Sequence, residues 1–223
     1  MNSKIYKTAS GETVKDLGKI NANARHLLSL INDVLDLSKI EAGRYELVHR
    51  HFDLREVIED CTDILSTQAR AGNISIDLSL PDEELEIEAD HTAIRQSVLN
   101  LMSNAIKFTT EGGSVTVRLE QEDEMARITV ADTGIGIAPN DIKRVLIPFE
   151  QVESSMSVGA QGTGLGLPIV KSLVQLHGGQ LNLASTLGKG TTVTIWLPIE
   201  ACDVPEAGMV GQRPFGLIAS PKG

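Results

Sequence analysis

Five glycines, Gly134, Gly136, Gly162, Gly164 and Gly166, constrain this chain more than any other feature. Glycines at alternate positions fit neither a helix interior nor a strand interior, so each group marks a loop whose backbone comes close to something else. The first group follows Arg127-Ile-Thr-Val-Ala-Asp132, an apolar run that reads as a strand ending on a carboxylate. The second opens a helix predicted from about Gly164 to Leu176, with Pro168 in its first turn. A polar segment, Gln151–Thr163, lies between them. Such a chain must mix strands and helices around its glycine loops.

The remaining pattern fills in that frame. From about Glu12 to Ile40 the residues Leu17, Ile20, Ala24, Leu27, Leu28, Ile31, Leu35 and Leu37 recur at helical spacing, and Gly43 supplies a stop. A helix with so wide an apolar stripe needs a helical partner. Glu46–Phe52 reads as a strand, and Asp53 as the N-cap of a helix to Ala71 that Gly72-Asn73 ends. Ile74–Leu80 and Glu86–Ala89 read as strands, and Asp90 caps a helix to Phe108. Val115–Leu119 and Ala126–Ala131 are predicted strands, a short helix follows Pro139, and Leu181–Ala184 with Thr191–Leu197 form a closing hairpin. The predicted fold is α+β, a two-layer sandwich with helices on one face of a sheet, preceded by one long amphipathic helix. Residues 1–11 and 201–223 read as loose ends.

Composition sets limits on function. The 223 residues are enough for one large domain and a short element. Aromatics are only 3%, so Leu, Ile, Val and Ala must build the core. A net charge of −10 argues against a nucleic-acid or anionic-membrane surface. Cys61 and Cys202 fit neither a zinc spacing nor a disulfide framework. No apolar run has the length of a membrane span and the N-terminus lacks a secretory core, so the chain reads as cytoplasmic or as a cytoplasmic fragment.

Three constellations carry chemistry. On the helix 90–108, Ile94, Val98, Leu101, Met102 and Ala105 define an apolar face, while Asn100, Asn104 and Lys107 share a narrow arc elsewhere. Asparagine is a poor helix-interior residue. Its carbonyl oxygen suits a hard cation such as Mg²⁺, and the lysine suits phosphate, although the same arc also fits a solvated face. The second is the loop Asp132-Thr-Gly134-Ile-Gly136-Ile137: the carboxylate can accept from an exocyclic amine while the glycines admit a flat ring, or the loop is an ordinary Asp turn. The third, Gly162-Thr163-Gly164-Leu165-Gly166 at a helix start, is a natural phosphate cradle, or a flexible linker. It is no P-loop and no Rossmann fingerprint, because the spacing and the flanking elements differ.

Taken together, these motifs carry a resemblance. Asn100-Leu-Met-Ser-Asn104-Ala-Ile-Lys107-Phe-Thr resembles the N box of sensor histidine kinases, Asp132–Gly136 their G1 box, and Gly162–Gly166 with the helix after it their G2 box. Phe149 matches the aromatic of their F box, while Leu146 stands where many members carry phenylalanine. Residues 26–43 resemble the second helix of their dimerisation hairpin.

The resemblance covers about residues 20–198. It implies a GHKL (Bergerat) ATP-binding fold over residues 44–200, with residues 12–43 as the second dimerisation helix. It also implies ATP with Mg²⁺ as ligands, a lid at Val152–Gln161, and transfer of the γ-phosphoryl group to a histidine. On the same basis Asn100 and Asn104 meet Mg²⁺ and phosphate, Lys107 meets the phosphates, Asp132 reads the adenine amine, Gly134, Gly136 and Ile137 line the base, and Gly162–Gly166 follow the triphosphate. The implied partners are a second copy, through the helix around residues 20–40, and a response regulator or phosphotransfer protein. None of His26, His49, His51, His91 and His177 has the sequence context of the family's phosphoacceptor, so the acceptor is expected from elsewhere. His177 reads as a helix C-terminal residue favoured by the dipole. Related ATPases of the fold place a water-activating Glu at the position of Asn100, so the resemblance favours transfer over hydrolysis. The alternatives are a non-catalytic nucleotide-binding module that docks a response regulator, and an ATPase or Ser/Thr kinase of the same fold.

Overall fold

The computed structural model describes residues 11–151 and 163–201. The segment expected to form the lid, Gly162, Cys202 and the C-terminal tail lie outside the described residues, as does the side chain of His26. The elements run α1 (Gly11–Glu41), β1 (His49–Asp53), α2 (Leu54–Ala71), β2 (Ser75–Ser79), β3 (Glu86–Asp90), α3 (His91–Phe108), β4 (Ser114–Glu122), β5 (Met125–Asp132), α4 (Gly166–Leu176), β6 (Gln180–Thr186) and β7 (Gly190–Pro198).

Five strands form one sheet in the order β2-β4-β5-β7-β6. Only β2 and β4 are parallel; the other pairs are antiparallel. The antiparallel pair β1-β3 stands apart as a second small sheet, joined to the first where the Glu88 N–H donates to the Ile199 carbonyl. Along β4 and β5 the side chains alternate in burial. Val115, Val117, Leu119, Ala126, Ile128 and Val130 turn inward against the helices, as half-buried strands require. The core they share with α2, α3 and α4 is aliphatic, with Ile58, Ile94, Met102, Val170 and Ile195 fully buried. This is the expected two-layer α+β sandwich.

Carboxylates start two of the helices. The Asp53 Oδ1 accepts from the N–H groups of Arg55 (3.0 Å) and Leu85 (3.2 Å), while the Arg55 guanidinium grips Oδ2 at 2.9 Å. Burial pushes the Asp53 carboxyl up, but these bonds outweigh it and hold its pKa below the usual value. The Asp90 Oδ1 caps α3 by accepting from Thr92 and Ala93, and its Oδ2 accepts from the Val48 N–H at 3.1 Å. At the end of α2 the left-handed turn falls on Asn73 (φ 52°) rather than on Gly72.

Three local expectations are corrected. The segment after Pro139 forms turns and a single 3₁₀ turn at Arg144–Leu146, not an α-helix; the Arg144 side chain binds Asp141 and Glu150 instead. Helix α4 starts at Gly166, because Gly164 adopts φ 71°. His177 does cap α4, but as a neutral ring. Its imidazole is 6% exposed, and Nδ1 lies 2.7 Å from the Leu173 carbonyl while Nε2 lies 3.1 Å from the Asp90 backbone nitrogen. A backbone N–H only donates, so Nε2 is unprotonated and Nδ1 carries the hydrogen. Burial depresses the His177 pKa, with His49 against its ring (centroids 5.9 Å apart) adding to the effect and Asp90 opposing it. Cys61 is a buried thiol whose pKa is pushed up to about 11 by desolvation.

Among the described residues no helix is long and apolar enough to cross a membrane. Helix α1 shows its apolar stripe to solvent, with Leu17, Leu27, Leu28, Ile31 and Leu35 exposed. Near its C-terminal end it docks: Leu37 is buried among Ala93, Leu165, Ile169 and Leu173, and Gln96 donates to Asp36.

The neutral His177 sets a pH dependence. The unfolded ring takes a proton near pH 6.5, the folded ring only at lower pH. The folded state therefore holds fewer protons, and stability falls as pH drops below about 6.5. Thermal melts between pH 7.5 and pH 5 should show a steeper decline for the wild type than for His177→Gln. His177→Ala, which leaves the Asp90 N–H buried without a partner, should cost about 1–3 kcal/mol in denaturant titrations at pH 7.5.

Candidate functional site

The site lies where α3, the β5 exit and the start of α4 meet. Asp132 is the last residue of β5, half-buried, and its Oδ1 accepts from the Gly134 N–H at 2.8 Å and the Thr191 N–H at 3.2 Å. Among the described residues Oδ2 accepts nothing, so one carboxylate oxygen is held still while the other stays open to a donor. Burial raises the pKa of this carboxyl, and the two backbone bonds counter it only in part.

The loop after Asp132 is clamped on two sides. The Ile135 N–H donates to the Phe108 carbonyl at the end of α3, and the Gly188 N–H donates back to the Ile135 carbonyl. Gly136 adopts φ 65°, and a Cβ there would collide with the Thr186 carbonyl. This position therefore demands glycine. Ile137, packed beside the main core, donates its N–H to the Ser185 hydroxyl at 2.7 Å.

Asn100, Asn104 and Lys107 sit half-buried on α3, on the arc that their spacing predicts. Gly166 faces the first two. A Cβ on it would stand 3.4 Å from the Asn104 amide nitrogen and 3.8 Å from the Asn100 carboxamide carbon. The Asn100 Nδ2 is buried and has no hydrogen-bond partner among the described residues. An unpaired buried amide beside a glycine-walled gap fits a site built to be completed by a polar ligand. Lys107 lies 5.1 Å from the Phe108 ring centroid, and desolvation lowers its pKa.

Further along, the Phe149 N–H donates to the Gly164 carbonyl at 3.2 Å, so the two flanks of segment 152–162 meet. Phe149 takes φ 65°, a strained value for an aromatic residue, and is 62% exposed. The Thr163 hydroxyl accepts from the Leu165 N–H at 3.0 Å, and Leu165 is buried against Leu37 of α1. The predicted site residues thus gather on three adjoining elements, except Phe149, which reaches them through its bond to Gly164, and Gly162, which lies outside the described residues.

Sequence reasoning missed Ser185 and Thr191 in the β6–β7 hairpin. The signal was present. Leu181, Leu183 and Ser185 share the inward face of β6, so a hydroxyl stands where alternation predicts an apolar side chain.

The family described as histidine kinase-, DNA gyrase B- and HSP90-like ATPases matches residues 89–201, just over half of the chain. The non-motile and phage-resistance protein of Caulobacter vibrioides is 48% identical over 188 residues, which are 82% of this chain and 22% of that protein. The histidine protein kinase DivJ of the same organism is 44% identical over 199 residues, 89% of this chain and 33% of that protein. The chain therefore spans between a fifth and a third of these relatives. Among solved structures, full-length ShkA in complex with AMPPNP is 31% identical with a TM-score of 0.74, covering 87% of this chain and 40% of that one.

Proposed function

The chain belongs to the family of histidine kinase-, DNA gyrase B- and HSP90-like ATPases, as an ATP-binding catalytic domain of the histidine kinase kind. From that premise we propose that it binds ATP with Mg²⁺ between α3 and the two glycine loops and donates the γ-phosphoryl group to a histidine supplied by another helix. The observation that carries this reading is the buried, unpaired Asn100 amide facing Gly166.

In this reading the open Asp132 oxygen accepts from the adenine amine, and Gly134, Gly136 and Ile137 line the base. The carbonyl oxygens of Asn104 and Asn100 would hold Mg²⁺, since hard cations take such ligands, and the unpaired Asn100 Nδ2 would donate to a phosphate oxygen. No cluster of three acidic, His or Cys side chains competes for a metal among the described residues. When bound, the ion neutralises charge on the phosphates. Lys107, Thr163, Gly164, Leu165 and Gly166 orient the triphosphate through one ammonium and backbone N–H groups. Phe149 borders Val152–Gln161, the lid that the family resemblance implies, which lies outside the described residues.

Asn100 has no basic oxygen with which to activate water, which favours transfer to a placed nucleophile over hydrolysis. None of the five histidines has an acceptor's sequence context, so the acceptor comes from a partner helix. The exposed stripe of α1 supports pairing with a second helix, in a homodimer whose helical hairpin docks a response regulator. The place of action is the cytoplasm.

Asp132→Asn puts an amide donor against the adenine amine. It should weaken ATP binding in calorimetry by about 1–3 kcal/mol; unchanged affinity would refute the role. Asn104→Ala should abolish the gain in ATP affinity that Mg²⁺ gives the wild type. If the wild type binds ATP equally with and without Mg²⁺, the metal assignment is wrong. Labelled ATP should phosphorylate a separately supplied domain that carries an acceptor histidine helix. Measurable ATP binding with no transfer would point instead to a non-catalytic nucleotide-binding module.

A further inference from the structure

The Ser185 hydroxyl stands at the junction of three backbone segments, and all of its hydrogen-bonding capacity is in use. It accepts from the Ile137 N–H at 2.7 Å, donates to the Gly190 carbonyl at 2.9 Å, and lies 2.9 Å from the Thr191 hydroxyl. A serine carries one hydrogen and two lone pairs. Its hydrogen goes to Gly190 and one lone pair to Ile137, so the Thr191 hydroxyl must donate to the other. The directions of all three bonds are then fixed.

The consequence lies one residue further on. Gly190 packs directly against the Asp132 backbone carbonyl, and the Thr191 N–H is one of the two donors that hold Asp132 Oδ1. The other donor, Gly134, belongs to the loop that Ser185 grips through Ile137. Ser185 thus ties together both structures that orient the Asp132 carboxylate, without touching Asp132 itself.

We propose that Ser185 is the positioning residue that aims Asp132 at the exocyclic amine of the base, and so sets the preference for adenine. This rests on the assignment of Asp132 given above. A bond network that fixes one carboxylate oxygen leaves the other a single direction from which to accept. Without the Ser185 hydroxyl, Ile137 and Gly190 lose a partner, the Thr191 hydroxyl is free to rotate, and the carboxylate loses its aim while the phosphate-facing residues on α3 and α4 are untouched.

The test is calorimetric binding, to the whole chain with Mg²⁺, of ATP and of purine riboside triphosphate, which lacks the 6-amino group. The wild type should prefer ATP by tenfold or more. In Ser185→Ala that preference should shrink to threefold or less, with affinity for the deaminated analogue within twofold of wild type. Ser185→Thr, which keeps the hydroxyl, should restore it. A wild type that does not distinguish the two nucleotides would overturn the assignment of Asp132, and the proposal with it. A wild type that does distinguish them, with a full preference retained in Ser185→Ala, would overturn the role of Ser185 alone. If Ser185→Ala binds neither nucleotide, Ser185→Thr decides: its preference for ATP must match the wild type, and its loss would refute the proposal.

Discussion

A carboxylate at the end of a buried strand is costly unless its oxygens are satisfied, and the rest of the site is arranged around that requirement. Asp132 leaves β5 at the sheet's rim, and its Oδ1 is satisfied by two backbone N–H groups from opposite sides. Each donor imposes a condition. The Gly134 donor requires a tight turn, which brings the loop against the end of α3. The Thr191 donor requires β7 to start beside β5, which the strand order β5-β7 provides. Antiparallel pairing places Thr192 opposite Ala131, so the register of the sheet delivers the Thr191 N–H one residue beyond the last pair. The carboxylate's direction is therefore a consequence of sheet register.

The same logic explains which parts were legible from the sequence. Helix α3 could be read because its apolar face and its Asn100–Asn104–Lys107 arc are both local, set by the 3.6-residue period and an Asp90 cap. The glycine loops could be read because backbone close approach needs glycine whatever the rest of the fold does. Ser185 showed in the sequence only as an inward hydroxyl on β6, and its partners stayed hidden because the hairpin folds it onto a loop 48 residues earlier. The neutral state of His177 was hidden for the same reason. The helix dipole argues for a proton, but the Asp90 N–H, 87 residues away in sequence, takes the ring nitrogen that would carry it. The short helix expected after Pro139 failed because Arg144 finds Asp141 and Glu150. The second pair spans six residues, which a helix would place on different faces.

Helix α1 adds a connection that its own pattern does not disclose. Most of its apolar residues face solvent, yet Leu37 is buried against Leu165, Ile169 and Leu173. Leu165 is the residue immediately before α4 and belongs to the glycine-rich stretch facing α3. Leu37 thus packs α1 against a backbone segment that borders the site. The C-terminal end of α4 is fixed independently by His177. Its N-terminal end is where Gly166 meets Asn100 and Asn104.

That arrangement also shows how a chain of net charge −10 can face an anion. Long-range repulsion from scattered surface carboxylates is screened within about 8 Å at physiological ionic strength. What a ligand meets at close range is set by the groups lining the gap between α3 and α4. Those are two carboxamides, a lysine whose charge is already partly desolvated, and the N-terminal end of α4, whose Gly166 and Leu167 N–H groups have no carbonyl partner within the helix. Among the described residues no side chain caps that helix end. An aspartate or serine at Leu165 would satisfy those donors internally, as Asp53 and Asp90 do for α2 and α3. A buried leucine there supplies no such cap, and packs that end of α4 against α1.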